Sequence, residues 1–419
     1  MDKFALPHRF CGFGKSVWDE YNRLAIDYKP LNLGMGFPNF HPPEEITKAL
    51  FEVANSPNTN LHQYTRGYGH PRLISILTKL YSKLLQRNLN GQTEFLVTNG
   101  AQQALYSAIT GHIDEGDEAI IIEPYFDLYG PMIKIAGGVA KFIPLRLKNQ
   151  KNKNLITSND WVLDPDELEK LFNKKTKLII LNTPHNPLGK VFTLSELEMI
   201  ANLCIKYNVL CISDEVYEFL VYEPSKHVRI STLPGMFERT LTIGSAGKTF
   251  SVTGWRVGWI YGGQKVLRNA QVVHQNCVYT CTTPIQEAIA IVLEKEFEKL
   301  NSNESYFAKM SNELKKKRDF MVDIFQKIGM VPSIPDGGYF ILADWSNLAG
   351  KINLDQEEDE FKDYKFTKWL CKNVGILGIP PSAFYSDLNK NIGENFVRLC
   401  FIKSEEDLMK TKEILEKLK

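Results

Sequence analysis

Lys248 is the residue of this 419-residue chain best placed to do covalent chemistry. It lies in the stretch 240–260, TLTIGSAGKTFSVTGWRVGWI, among small and apolar residues. Such surroundings desolvate an ammonium group and lower its pKa toward a neutral amine that can attack a carbonyl carbon. The GKT triplet also ends the phosphate-cradling P-loop, but that pattern needs a glycine five residues before the GK glycine, and position 242 is Thr. The P-loop is excluded, whereas a nucleophilic lysine is not. Two strand-like runs, TLTIGS and WRVGWIYG, bracket the turn. They predict Lys248 on irregular backbone at a strand end, where α/β proteins gather their catalytic groups.

Other chemistry-bearing groups also stand at predicted strand ends. EFLVTNGAQQALYSAI runs from a strand through Gly100 into a helix starting near Ala101, with Gln102 in its first turn. Its free N–H groups and positive dipole end suit a phosphate. IIEPYFDLYGP puts Tyr125 and Phe126 just past the next strand, aromatic faces on which a flat ring can stack. LNTPHNPLGK sets Asn186 on a strand-end turn, ISDEVYEF ends in Asp214, Glu215 and Tyr217, and ENFVRLCF carries Arg398. Each has a plainer reading on its own: a connection, a core aromatic, a helix cap, an outward charge. The order is more specific: a glycine-led helix start, an aromatic, an NP turn, DEVY, SxxK and then Arg256, each at a strand end.

Ser245, Lys248 and Arg256 resemble the SxxK and following Arg of the fold-type I enzymes that use pyridoxal 5'-phosphate (PLP). Whole phrases sharpen this: KSVWDEY, LNLGMGFPNF, QYTRGYGHPRL, DEGDEAIIIEPYFDLY, NTPHNPLGK, SDEVYE, GSAGKTFSVTGWRVGW, GGYF and GIPPSAFY. The chain resembles a class I aminotransferase, and within that class the kynurenine aminotransferase group, also called glutamine transaminase K or cysteine-conjugate β-lyase. The resemblance implies that Lys248 carries the cofactor, that Asp214 keeps the ring nitrogen protonated, and that Tyr217 and Asn186 donate to the ring's phenolate oxygen. It implies that Gly100, Ala101, Gln102, Ser245 and Arg256 hold the phosphate, with Phe126 on the ring and Tyr64 reaching the phosphate of a neighbouring subunit. A homodimer follows from that last contact. Arg398 is implied as the grip on the substrate's α-carboxylate, with Trp18, Gly36, Asn186 and Tyr279 lining the substrate pocket.

The implied activity is transamination of kynurenine and other aromatic or neutral amino acids, glutamine among them, with 2-oxo acids, plus a β-lyase side reaction on cysteine conjugates. A dicarboxylic or branched-chain specificity, or a non-catalytic regulator on the same fold, are the alternatives. Three positions depart from the group's pattern: Met35 replaces a polar residue before Gly36, Thr280 follows Tyr279 where a related form has His, and Gln102 replaces an aromatic.

The elements that must position these groups are legible as rhythm. From about 43 to 300, apolar strand-like runs (EFLV, EAIIIEP, TKLIILN, NVLCISDE, TLTIG, WRVGWIYG) alternate with amphipathic helices, which predicts an α/β fold with a mostly parallel sheet covered by helices. The resemblance makes it the seven-stranded-type sheet of the PLP-dependent transferase fold type I. After about 300 the pattern changes to a charged helix, a GGYF strand, further helices and a strand at ENFVRLCF, predicting a smaller α+β domain over 301–419. Residues 1–42 hold an arm, a helix at SVWDEYNRLAIDY and the irregular LNLGMGFPNFHPP, a segment expected to join the small domain in space.

Composition narrows the function classes. Fifty basic residues against 49 acidic ones give a net charge of +1, which argues against general affinity for nucleic acid or an anionic membrane. The seven cysteines are scattered, with no zinc-like spacing, so no metal site is expected and a reducing compartment is. The N-terminus lacks the signature of a signal or transit peptide, giving a cytoplasmic expectation with a mitochondrial form as the alternative.

Overall fold

A computed structural model of the chain describes residues 3–11, 16–148 and 155–418. Lys15, the first residue of the KSVWDEY phrase, lies outside them. A seven-stranded sheet runs in the spatial order Phe95–Thr98, Gly258–Gly262, Thr240–Ser245, Leu210–Asp214, Thr176–Asn182, Glu118–Glu123 and Val139–Pro144. Gly258–Gly262 is antiparallel to both neighbours, and the other six strands point the same way. Helices on both faces explain the unbroken apolar runs: every residue of Phe95–Thr98, Leu210–Asp214, Thr240–Ser245 and Gly258–Gly262 is buried. Because the six strands are parallel, Thr98, Glu123, Asn182, Asp214 and Ser245 all finish at one edge. Ligands of open α/β sheets bind at that edge, where neighbouring strands lead off in opposite directions.

A four-stranded sheet sets Phe396–Cys400, Phe340–Asp344 and Val331–Ile334 antiparallel, with Ile156–Thr157 added parallel to the last. The long helix Tyr306–Lys327 flanks it, and Ser305 caps that helix by accepting from the Ala308 N–H at 3.2 Å. Ile212 and Ile243 of the large sheet and Ile341 and Leu399 of the small one belong to a single apolar cluster.

The N-terminal segment crosses to the second sheet's side. Helix Val17–Tyr28 starts at Ser16, whose hydroxyl accepts from the Trp18 N–H. Glu20 pairs with Lys368 at 2.7 Å. Leu31–Asn32 then pairs in parallel with Ile376–Leu377, so the start of LNLGMGFPNFHPP is a short strand rather than irregular chain. A second correction falls on the Lys248 turn. Ala246–Thr249 forms one helical turn, closed by the Phe250 N–H donating to the Ala246 carbonyl at 2.8 Å, where irregular backbone was expected. No helix among the described residues is long and apolar enough to cross a membrane.

Candidate active site

A cavity of about 220 Å³ opens at the carboxyl edge of the large sheet. Each predicted motif reaches it from its own strand end. Ser245 closes one strand and Lys248 sits on the helical turn that follows; Asp214 and Tyr217 come from the next, Asn186 from the third, and Phe126 from the connection after Glu123. Ala101 and Gln102 open the helix Ala101–Thr110 behind Gly100, and Arg256 approaches from the segment leading into Gly258–Gly262. Trp18 and Gly36 enter from the N-terminal segment and Arg398 from the small sheet. The site therefore lies between the two sheets.

The lysine has the environment its neighbours in sequence implied. Burial pushes the Lys248 ammonium down to about 8, and Arg256 and Arg398 add to the shift. Its Nζ donates to the Tyr339 hydroxyl at 2.8 Å and lies 5.8 Å from the centre of the Tyr217 ring. Asp214 is almost fully buried, and burial raises its carboxyl to about 6. Tyr129 opposes that rise by donating to Asp214 Oδ2 at 2.6 Å, and the Val216 N–H does so by donating to Oδ1 at 3.4 Å. The Asp214 carbonyl in turn takes the Asn182 side-chain amide at 2.9 Å, and Asn182 Oδ1 accepts from the Asn186 N–H at 2.7 Å. Asn182 thereby ties the NP turn to the strand that ends in Asp214.

Two cationic ends face each other across the cavity. Gly100 has φ +80°, and a Cβ built there would sit 2.6 Å from an Arg256 guanidinium nitrogen. The guanidinium thus covers the N-terminal end of Ala101–Thr110, beside the buried Ser245. At the other end Arg398 is 1 % exposed. It donates to the Gly34 carbonyl at 2.8 Å and to Asn186 Oδ1 at 3.3 Å, while its Nε has no partner. Phe340 and Trp18 stack on it, with ring centres 4.2 and 5.3 Å from the guanidinium carbon, and burial holds its pKa down to about 10. Trp18 is fixed by its indole N–H donating to Asp127 at 2.7 Å. Gly36 must lack a side chain, since a Cβ there would meet Phe340 at 2.3 Å.

Two expected residues stand apart. Tyr64 and Tyr279 do not line the cavity; they form an exposed edge-to-face pair with centroids 6.0 Å apart. Conversely, Asn182, Leu105, Val216 and Phe340 line it and Tyr129 and Tyr339 back it; all six fall within the quoted phrases, but nothing local to them assigns a role. Among the described residues no group of acidic, His and Cys side chains is arranged to hold a metal.

Residues 28–415 match the family of class I and II aminotransferases. The chain belongs to that family. It is 49% identical over 414 residues to kynurenine–oxoglutarate transaminase 3 of Homo sapiens, covering 99% of this chain and 90% of that protein. It is 43% identical over 420 residues to kynurenine–oxoglutarate transaminase 1 of Homo sapiens, covering 100% and 99%. Among solved structures, Bna3p of Saccharomyces cerevisiae superposes with a TM-score of 0.92 at 34% identity, covering 99% of both chains. A mutant aspartate aminotransferase of Thermus thermophilus gives 0.84 at 25% identity, covering 99% and 100%.

As a member of this family the aminotransferase works with PLP, and its cavity has the chemistry for that group. One end presents helix N–H groups and a guanidinium to an anion. The middle presents a buried carboxylate and an amine held well below the usual lysine range. The Arg398 Nε, buried and without a partner, is a donor available to a further anion.

Proposed function

We propose that this aminotransferase moves the amino group of kynurenine, and of other aromatic or neutral amino acids such as glutamine, to 2-oxo acids. The observation that carries the reading is the wall beside Arg398. Phe340, Phe384 and Trp18 set their ring centres 4.2, 4.8 and 5.3 Å from its guanidinium carbon, Phe126 adds a further ring to the cavity, and the remaining cations of the cavity are Lys248 and Arg256, the latter lying across the helix end at Gly100. A dicarboxylic donor needs a further cation for its side chain, because burying an unpaired charge costs several kcal/mol. The transaminases 1 and 3 of Homo sapiens are named for kynurenine, which agrees.

In this reading the bound cofactor supplies an aldehyde carbon that takes up amino groups and a ring that draws electrons from the substrate's α-carbon. Lys248 would anchor it, and the free Lys248 amine would take the substrate's α-proton. Asp214 holds a proton at the ring nitrogen, with Tyr129 keeping the carboxylate in place. Tyr217 and Asn186 donate toward the ring's phenolate oxygen, and Phe126 covers a ring face. Gly100, Ala101, Gln102, Ser245 and Arg256 hold the phosphate, while Arg398 and Gly36 take the α-carboxylate beside Trp18. The two half-reactions alternate, one releasing a 2-oxo acid and the other an amino acid. Loss of a leaving group from the β-carbon of a cysteine conjugate would use the same proton removal by Lys248.

Because the α-carboxylate is shared by all donors, Arg398→Lys should weaken them together, whereas Trp18→Ala should hurt aromatic donors most. The check is kcat/KM for kynurenine, glutamine, phenylalanine, methionine and aspartate, with pyruvate, glyoxylate and 2-oxoglutarate as acceptors. A lead for aspartate would remove the specificity and leave the aminotransferase.

The same reading divides the chain near residues 42 and 300 and makes the working unit a homodimer. Tyr64 and Tyr279, an exposed aromatic pair on one chain, suit an interface where Tyr64 reaches the partner's phosphate end. Light scattering should give twice the 47.9 kDa of one chain. Mixing inactive Lys248→Ala with weakened Tyr64→Phe subunits should restore part of the activity; an active monomer would sink the shared site. The seven unpaired cysteines suit the cytoplasm.

A further inference from the structure

Tyr339 belongs to none of the roles above, yet its hydroxyl is the closer of two acceptors for the Lys248 amine. Nζ donates to it at 2.8 Å and to the Gly36 carbonyl oxygen at 3.5 Å. The Tyr339 hydroxyl spends its own hydrogen on that same Gly36 carbonyl, at 2.7 Å. Its oxygen can therefore only accept from the lysine, and the Gly36 carbonyl has lone pairs for both donors. The ring is fixed: Tyr339 is 1 % exposed, edge-on to Tyr217 with centroids 5.0 Å apart, and packed on Phe340 at 4.9 Å.

A neutral amine has two N–H bonds and one lone pair. The two acceptors are themselves only 2.7 Å apart, so they lie on one side of Nζ and share one of its hydrogens, which leaves the other hydrogen and the lone pair to the remaining sides, the cavity that Lys248 lines among them. An amine on a free four-carbon stem would also sample positions away from the cavity, so a fixed partner on one side removes part of that positional cost from proton transfer.

We propose that Tyr339 is a positioning residue that holds the Lys248 amine, whenever it is free of the cofactor, at the cavity and within reach of the substrate's α-proton. In that step the C–H bond breaks, its electron pair stays with carbon, and the proton bonds to the lone pair of Nζ, while the hydrogen held by Tyr339 stays in place. The proposal rests on the reading of Lys248 as the catalytic amine. It also links the lysine to Gly36, so the segment meant to meet the substrate's carboxylate and the base share one carbonyl.

The test is Tyr339→Phe, which keeps the ring and removes the hydroxyl, both as acceptor from Lys248 and as donor to the Gly36 carbonyl. In the loaded enzyme, cofactor content and the KM for kynurenine should stay within about twofold. The single-turnover rate of α-proton removal should fall at least about tenfold, the scale of one well-placed hydrogen bond, with a larger isotope effect for α-deuterated donor. In the apoprotein, the pH midpoint for acylation of Lys248 should move down, because an acceptor that favours the ammonium is gone. The other charged or titratable groups around Nζ, namely Asp214, Tyr217, Arg256, Arg398 and Cys400, are unchanged. An unmoved midpoint with an unmoved proton-removal rate overturns the proposal, and so does loss of cofactor binding in step with the rate. Failure of the parent reading would show separately, as borohydride fixing the cofactor on a lysine other than Lys248.

Discussion

Lys248→Ala is expected to lower transamination by at least about four orders of magnitude, since it removes the nucleophile and the proton acceptor together. Among the described residues no other lysine lines the cavity. Lys190 is buried but paired with Glu196 at 2.9 Å, and Lys403 is held by the Met35 and Phe37 carbonyls at 3.2 and 2.9 Å. The variant should still bind the cofactor reversibly, because Arg256 and the helix end at Gly100 remain. Kinetics on the variant, with borohydride reduction and peptide mapping of the wild type, decide the matter; a variant within tenfold of wild type would be fatal to the assignment. The lowered pKa adds a pH signature. With the ammonium held at about 8, the rate at which the apoprotein captures the cofactor should climb about fivefold between pH 7 and 8, by a further factor of about two toward pH 9, and then level off.

What was legible in the sequence divides along a physical line. The parallel strands were readable because burial on both faces makes them continuous apolar runs. The motifs were readable because each strand ends where its chemistry begins, so one local stretch such as ISDEVY carries both signals. The supporting groups were not readable, because they act across distance in the chain. Tyr129 meets Asp214 from 85 residues away, Tyr339 meets Lys248 from 91, and Asp127 meets Trp18 from 109. No local spacing encodes those meetings; only the closed fold does.

Length set a second limit. Leu31–Asn32 and Ile156–Thr157 are two-residue strands, too short for any periodicity, yet they bind the N-terminal segment and a piece of the central chain to the second sheet's region. The turn Ala246–Thr249 is likewise a single turn, shorter than a helical pattern needs to show itself. For Tyr64 and Tyr279 the missing information is of another kind, since a residue proposed to act on a neighbouring subunit has no counterpart contact within its own chain.

Asp214→Asn should separate the carboxylate's work in catalysis from its cost to the fold. Burial raises the Asp214 carboxyl from 3.8 to about 6, so its folded pKa lies above its unfolded value. The neutral acid is therefore the form the empty fold prefers. Its contribution to stability is complete below about pH 4 and is lost as pH rises through 6, a difference of about 3 kcal/mol at 1.36 kcal/mol per unit. Asparagine has the same shape, can still accept from Tyr129 and carries no charge. The apoprotein of the variant should thus unfold at a higher temperature than wild type at pH 7, and the gap should close as pH falls toward 4. Adding PLP should reverse the order at pH 7, because only the wild type has a buried carboxylate to pair with a protonated ring nitrogen. Activity should fall at least about a hundredfold, the scale at which one preorganised electrostatic partner acts in a dry site. Melting curves of apo and loaded protein at pH 7 and 5, with kcat for kynurenine, give the result. If the variant apoprotein were less stable at pH 7, the carboxylate would be paired within the empty fold, and the idea that the site holds it ready for the cofactor would be wrong.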